Sequence, residues 1–198
     1  FKKHSGYTNS LPDMYFCISG DDKTTPSADM GTRLADINGD GLMDLIQLFL
    51  PDNGMYENVR QRRVYLNTGS SFTRSSSYSG STSDVYFAAV DSQNRGYNLG
   101  AQLADVNGDY LPDLVQLYHS RSNFYNHKNQ RRVYLNTGSR FSYNSTYSSS
   151  LPDTYFVGGG NPPDLHEQDM GTRLADINND GFLDLIQLFI PENNWYGG

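Results

Sequence analysis

The chain has 198 residues, with 15 basic and 22 acidic side chains and a formal net charge of −7. Few basic residues and a pI of about 4.9 argue against nucleic acid as a partner, and no apolar run approaches the ~20 residues of a membrane span. Hydrophobic residues make up 36% of the chain, and Gly, Ser, Asn and Tyr are abundant, which suits many short strands joined by turns.

Strands are predicted near residues 14–18, 32–37, 45–50 and 62–68, and again downstream. Residues 45–50 are apolar on both faces, as a strand stacked between neighbouring sheets should be. The pattern repeats. Phe1, Phe72 and Phe141 share one phase, at steps of 71 and 69 residues, and each precedes a Tyr-Phe pair ending at Phe16, Phe87 or Phe156. The block Arg62-Arg63-Val64-Tyr65-Leu66-Asn67-Thr68-Gly69-Ser70 returns at residues 131–139. A period near ~70 residues marks an array of supersecondary units. It divides the chain into modules at 1–71, 72–140 and 141–198, the last without the Arg-Arg-Val-Tyr block, so the register predicts a piece of a longer repetitive protein.

Three loops recur inside this period, at residues 36–44, 105–113 and 176–184. Each carries Asp at positions 1, 5 and 9 and Asn at position 3. Alternating oxygen ligands with Gly between them are how a short loop wraps a hard cation, with calcium the usual guest. The predicted ligands are Asp36, Asn38, Asp40, Asp44 and the Leu42 carbonyl; then Asp105, Asn107, Asp109, Asp113 and the Leu111 carbonyl; then Asp176, Asn178, Asp180, Asp184 and the Phe182 carbonyl. Nine of the 22 acidic residues lie in these loops, so three divalent ions would bring the net charge to about −1. An EF-hand would need a Glu at position 12 within a helix, whereas Gln47, Gln116 and Gln187 stand there in strand-like runs. In the second loop Tyr110 replaces Gly at position 6, which is strained if that position needs a positive φ, so this site is expected to be the weaker one. In the third, Asn179 replaces Gly at position 4, a milder change because Asn tolerates the left-handed region.

The remaining features are less specific. Cys17, the only cysteine, reads as a small strand residue facing a core. Ser/Thr-rich stretches at residues 73–83 and 142–150 read as exposed linkers or edge strands, with a glycan-bearing face as the sharper alternative. Asn144-Ser145-Thr146 is the only N-glycosylation sequon. Fifteen tyrosines and the Arg pairs suit packing or sugar-binding clefts. The four histidines share no phase, and no nucleophile motif or phosphate loop is present, so an enzyme is not expected.

The motifs around residues 34–46, with their two counterparts, resemble the FG-GAP/VCBS repeat family, the calcium-binding blades of integrin α-subunit propellers, some fungal lectins and many bacterial surface proteins. The Val64–Gly69 block is similar to versions in bacterial toxin-complex and Rhs-associated proteins. Met30-Gly31 stands where the family has Phe-Gly, no Gly-Ala-Pro follows, and the module is longer than usual. The resemblance implies an all-β fold of tandem four-stranded antiparallel blades, as a β-propeller or an open stacked array. The expected function is a non-enzymatic, extracellular, calcium-stabilised scaffold, adhesive or fibre-forming and glycosylated. Up to three Ca2+ would bind, with neighbouring modules or copies as partners and glycans as a further candidate. Alternatives are a lectin-like propeller fragment and a shell or spacer propeller of a toxin assembly.

Overall fold

A computed structural model describes residues 4–18, 27–52, 54–92, 95–120, 125, 128–158 and 168–189. Strands hold 41% of the described residues and helices 14%. In chain order, α1 (Ser5–Ser10) leads to a two-stranded hairpin of β1 (Cys17–Ile18) and β2 (Ala28–Asp29). A first six-stranded sheet follows: β3 (Thr32–Ala35), β4 (Asp44–Pro51), β5 (Gln61–Asn67), β6 (Phe72–Arg74), then, after α2 (Ser76–Ser81), β7 (Ala88–Val90) and β8 (Gly96–Asn98). A second sheet repeats it with β9 (Ala101–Ala104), β10 (Asp113–His119), β11 (Gln130–Asn136), β12 (Phe141–Tyr143), α3 (Ser145–Ser150), β13 (Val157–Gly158) and β14 (Gln168–Asp169). The third begins with β15 (Thr172–Ala175) and β16 (Asp184–Gln187).

The organising strand is β4, and β10 in the second sheet. Side chains alternate across a strand, so an apolar run fills both faces. On one face Ile46 and Leu48 join Val64, Tyr86, Leu99 and residues of the second sheet in the main core. On the other, Phe49 packs with Ala28, Met30, Ala88 and Val90. Each sheet is therefore sandwiched between its neighbours, and a fully buried Leu or Phe contributes about 1.5–3 kcal/mol there. At mid-strand the buried Gln47 amide donates to the Met30 carbonyl at 3.0 Å, as Gln116 does to Leu99 at 2.8 Å and Gln187 to Met170 at 3.0 Å. This bond pegs the chain where it leaves one hairpin for the next sheet. The following Gly31 has φ +65°, and a side chain there would collide with the Leu48 carbonyl.

The predicted strands are present, but the sheets are not four-stranded antiparallel blades. β3 covers only the first half of β4, pairing Thr32 with Gln47 through Ala35 with Asp44. The second half takes β7 in parallel, Phe49 opposite Ala88, and β10 takes β13 likewise. The parallel sense arises because the chain crosses over through α2 before re-entering. The sheets are thus mixed and open. A period fixes length and leaves phase free: the six-stranded sheets occupy residues 32–98 and 101–169, and Phe72 and Phe141 open their outer strands.

The Ser/Thr-rich stretches begin in the edge strands β6 and β12, as one predicted alternative has it, and then continue as the helices α2 and α3. Ser75 and Asn144 cap them, accepting from the Tyr78 and Tyr147 N–H groups. Their small hydroxyl side chains let the helix lie against β5 and pair with its backbone. Ser79 Oγ accepts the Val64 N–H at 3.0 Å, and Ser148 Oγ accepts the Val133 N–H at 3.0 Å. The helix thus seals a strand edge that would otherwise be open. Its other face meets the next sheet, where Ser81 Oγ accepts the Phe141 N–H at 2.9 Å and Ser10 Oγ accepts that of Phe72 at 2.9 Å. Cys17 is exposed, contrary to its predicted place in a core. Ala88 and Val157, at the same phase, are buried because each pairs with the central strand of its sheet, whereas β1 pairs only with β2 among the described residues.

Ser79→Ala and Ser148→Ala are each expected to cost about 1–2 kcal/mol, the penalty for leaving one buried N–H unpaired. Urea unfolding measures this, and neutral substitutions would show that the helices do not seal the strand edges.

Candidate metal centres

Each loop leaves the first-hairpin strand of its sheet and feeds the central strand. In the first, Asp36 Oδ1 accepts from the Asp40 N–H at 3.0 Å and Oδ2 from Gly41 at 2.8 Å. Asn38 Oδ1 accepts from the same Asp40 N–H at 3.2 Å, and its amide donates to Asp40 Oδ2 at 2.9 Å. Positions 1, 3 and 5 therefore turn toward one another around a shared backbone donor. Asp105, Asn107 and Asp109 repeat the arrangement, as do Asp176, Asn178 and Asp180.

Position 9 behaves differently. Asp44 is fully buried, and its two oxygens accept from Ile37 N–H at 2.8 Å and Asn67 N–H at 2.7 Å. Asp113 accepts from Val106 at 3.0 Å and Asn136 at 2.7 Å. Asp184 accepts from Ile177 at 3.1 Å and is less buried. Burial pushes the Asp113 carboxyl up to about 6, outweighing the lowering by the Asn136 and Val106 donors, and raises Asp44 in the same way. Among the described residues, no three His, Cys, Asp or Glu side chains gather as a metal-holding group. What converges is two carboxylates and an amide, with the third carboxylate locked to backbone beside them. A carboxylate has about four lone-pair sites, so Asp44 and Asp113 retain acceptor capacity beyond their two N–H bonds. An all-oxygen donor set of this kind fits a hard cation.

The structure adds a residue that the sequence reading passed over. Asn136, buried at the end of β11, offers its N–H to Asp113, and its side chain donates to Pro112 O at 3.2 Å and Ile37 O at 2.7 Å. Its Oδ1 accepts from the Tyr78 hydroxyl at 3.2 Å and Gly138 N–H at 3.0 Å. Asn67 does the same with Tyr7 at 2.9 Å and Gly69 at 2.9 Å. Its signal was the fixed Asn in the two Val-Tyr-Leu-Asn-Thr-Gly blocks.

Successive loops touch. A Cβ placed on Gly39 would lie 2.9 Å from a Leu111 methyl, and one on Gly108 3.2 Å from the Phe182 ring. The position-7 side chain of each loop thus fits against position 4 of the loop before it. Position 6 does require a positive φ: Gly41 has 85°, Gly181 has 88° and Tyr110 has 67°. The Tyr110 ring is 93% exposed, so no packing offsets the backbone strain. Asn179 sits at φ 59°.

The other candidates fall elsewhere. The Arg63 guanidinium lies 4.9 Å over Tyr56 and donates to Asp13 O at 2.8 Å; Arg132 lies 5.7 Å over Tyr125 and donates to Asp84 O at 2.7 Å. Tyr134 donates to Ser83 O at 2.8 Å. These side chains join the sheets to the segments before them. Two adjoining clefts of about 320 and 390 Å³ are lined instead by Asn98, Gln102, Phe156 and Val157, flanked by Arg33 and Arg173. Both arginines are paired, with Asp29 at 2.6 Å and Asp169 at 2.5 Å. Asn144, in the sequon, is half-buried and spends its Oδ1 on the α3 cap.

No family model, curated protein or solved structure matches the chain. The likeness to calcium-binding blades therefore rests on the motif residues.

Asp113→Ala should cost about 2–4 kcal/mol in chelator, because it strands two N–H groups, while Asp109→Ala should cost about 1 kcal/mol or less. Equal losses in metal-free unfolding would remove the distinction between the position-9 lock and the exposed loop carboxylates. Tyr110→Gly should stabilise the chain by about 1 kcal/mol in the same buffer, and a loss of stability would show that the positive φ is not a source of strain.

Proposed function

We propose that the chain is part of a non-enzymatic, extracellular scaffold of stacked β-sheet repeats, calcium-stabilised at its loops, with an adhesive or fibre-forming role. One observation carries the reading: the joint between consecutive units is made twice with the same bonds. Tyr7 and Tyr78 reach Asn67 and Asn136, Ser10 and Ser81 accept from Phe72 and Phe141, and Arg63 and Arg132 bind the carbonyls of Asp13 and Asp84. A joint that recurs unchanged sets a constant geometry between units, which a load-bearing or spacing element requires.

Asp36, Asn38, Asp40, Asp44 and the Leu42 carbonyl would hold the first ion, with their counterparts holding the other two. The ion would neutralise clustered carboxylates, including position-9 groups that burial drives toward the neutral form. Such loops fill where calcium is millimolar, outside cells. The second site is the weaker because of Tyr110. The stacked sheets are the open-array form of a blade repeat, with neighbouring modules or copies as partners. Asn144 and the exposed serines of α3 are the candidate glycan carriers.

Calcium that binds only the folded state stabilises it by about 2.7 kcal/mol per site at hundredfold excess over Kd. The melting temperature is therefore expected to rise strongly with calcium and to fall on chelation. A melt indifferent to chelator would sink the calcium reading. Saturable binding on a glycan array would replace the scaffold role with the lectin-like one.

A further inference from the structure

The first and second loops are joined by hydrogen bonds. In the first, the Ile37 N–H donates to Asp44 Oδ2 at 2.8 Å. The carbonyl of the same residue accepts from the Asn136 side-chain amide at 2.7 Å. The Asn136 backbone N–H donates in turn to Asp113 Oδ1 at 2.7 Å, and Asp113 Oδ2 accepts from Val106 of the second loop at 3.0 Å. An unbroken thread thus runs from the position-9 carboxylate of one loop to that of the next. Tyr78 braces its middle, with its hydroxyl shared between Ile37 O at 3.1 Å and Asn136 Oδ1 at 3.2 Å. Every member is buried: Asp44, Ile37 and Asp113 are 0% exposed, and Asn136 and Tyr78 are 2% exposed. Away from water each of these bonds is stronger and its loss costlier.

Packing follows the same route. The Leu111 methyl group lies 2.9 Å from where a Cβ on Gly39 would sit, at position 4 of the first loop. Leu111 is also the residue whose carbonyl is the predicted backbone ligand of the second loop. A shift of Ile37 therefore carries to Asp113, and a shift of Gly39 carries to Leu111.

We infer that the first and second loops bind calcium as a coupled pair, and that Asn136 is the positioning residue that couples them. With the first loop filled, Asp44 and the Ile37 peptide are held in place. The Ile37 carbonyl then holds the Asn136 side chain, and the Asn136 N–H keeps the Asp113 carboxylate fixed in the second loop. Ordering done at one loop is not repeated at the other, so the coupling is positive. By linkage each loop raises the affinity of the other by the same factor. This inference deepens the calcium reading of the loops and rests on it.

Calorimetric titration of the 198-residue chain with calcium ion tests the coupling. Asp176→Asn with Asp180→Asn disables the third loop and leaves two sites. Disabling the first loop as well, by Asp36→Asn with Asp40→Asn, lowers the affinity of the second site by roughly tenfold, within the range of linked sites. Disabling the second loop instead, by Asp105→Asn with Asp109→Asn, lowers that of the first site by the same factor. In an Asn136→Ala background both losses shrink to about twofold or less, as for independent sites. Asn67→Ala is the control for a merely structural role. Its side chain donates to Met43 O of its own loop at 3.1 Å and accepts from Tyr7 at 2.9 Å, so the variant loses a similar local network and keeps the coupling. Should Asn136→Ala not fold, Tyr78→Phe keeps the ring in the core, removes only the hydroxyl at Ile37 O, and reduces the same two losses. Second-site affinity that is equal with the first loop intact or disabled overturns the coupling and leaves the calcium reading standing. Losses undiminished in the Asn136→Ala or, in its place, the Tyr78→Phe background overturn the role of Asn136. A chain that takes up no calcium sinks the calcium reading itself, and the coupling with it.

Discussion

The carboxylates of Asp44 and Asp113 are fully buried, and each is held by two backbone N–H groups from different parts of its unit. One donor comes from the loop itself and the other from the end of the strand paired across the sheet. The same bond therefore fixes the loop, the end of β5 or β11, and the Asn that stands there. From Asn136 the network passes to Ile37 O and the Tyr78 hydroxyl of the preceding unit. A residue that closes a local turn thus also sets the register between units. The cost is a charge in a place where burial favours the neutral form.

Around that lock the fold is assembled in series. The central strand has no solvent face, so a unit alone would leave Ile46 and Leu48, or Phe49, in water. Neighbours supply the missing cover, as in other repeat arrays. Edges are handled by short serine-rich helices, whose hydroxyls reach strand N–H groups that no further strand pairs. Tyr110 shows where the repeat tolerates departure: its backbone takes the left-handed conformation that glycine takes in the other loops, and its ring, which points into solvent, disturbs nothing.

Much of the fold was legible because its signals are local. Strands β3, β4 and β5 could be read from apolar and β-branched runs, and positions 1, 3 and 5 of the loops from their spacing. The helices could not. Ser76–Ser81 has neither strong helix formers nor an apolar stripe, and it is helical because Ser79 and Tyr78 find partners on β5 and in the next unit. The parallel entry of β7 and β13 was equally hidden, since strands of two or three residues carry no periodicity long enough to read. The position-9 Asp was recognised as an oxygen donor but not as a backbone lock, because its second partner lies 23 residues away.

By itself the sequence determined the period, the grouping of oxygen side chains at positions 1, 3 and 5 of each loop, the site of strain at Tyr110 and the strand that had to be buried on both faces. All of these follow from the residue types within a few positions of one another. The tertiary structure decided the mixed pairing, the phase of the units, the helices at the strand edges and the exposure of Cys17. These depend on groups brought together across the chain, such as the Asn136 amide and the Ile37 carbonyl, 99 residues apart. A hydrogen bond of that reach has no counterpart in local composition, because either partner alone is an ordinary polar group until the fold removes its water.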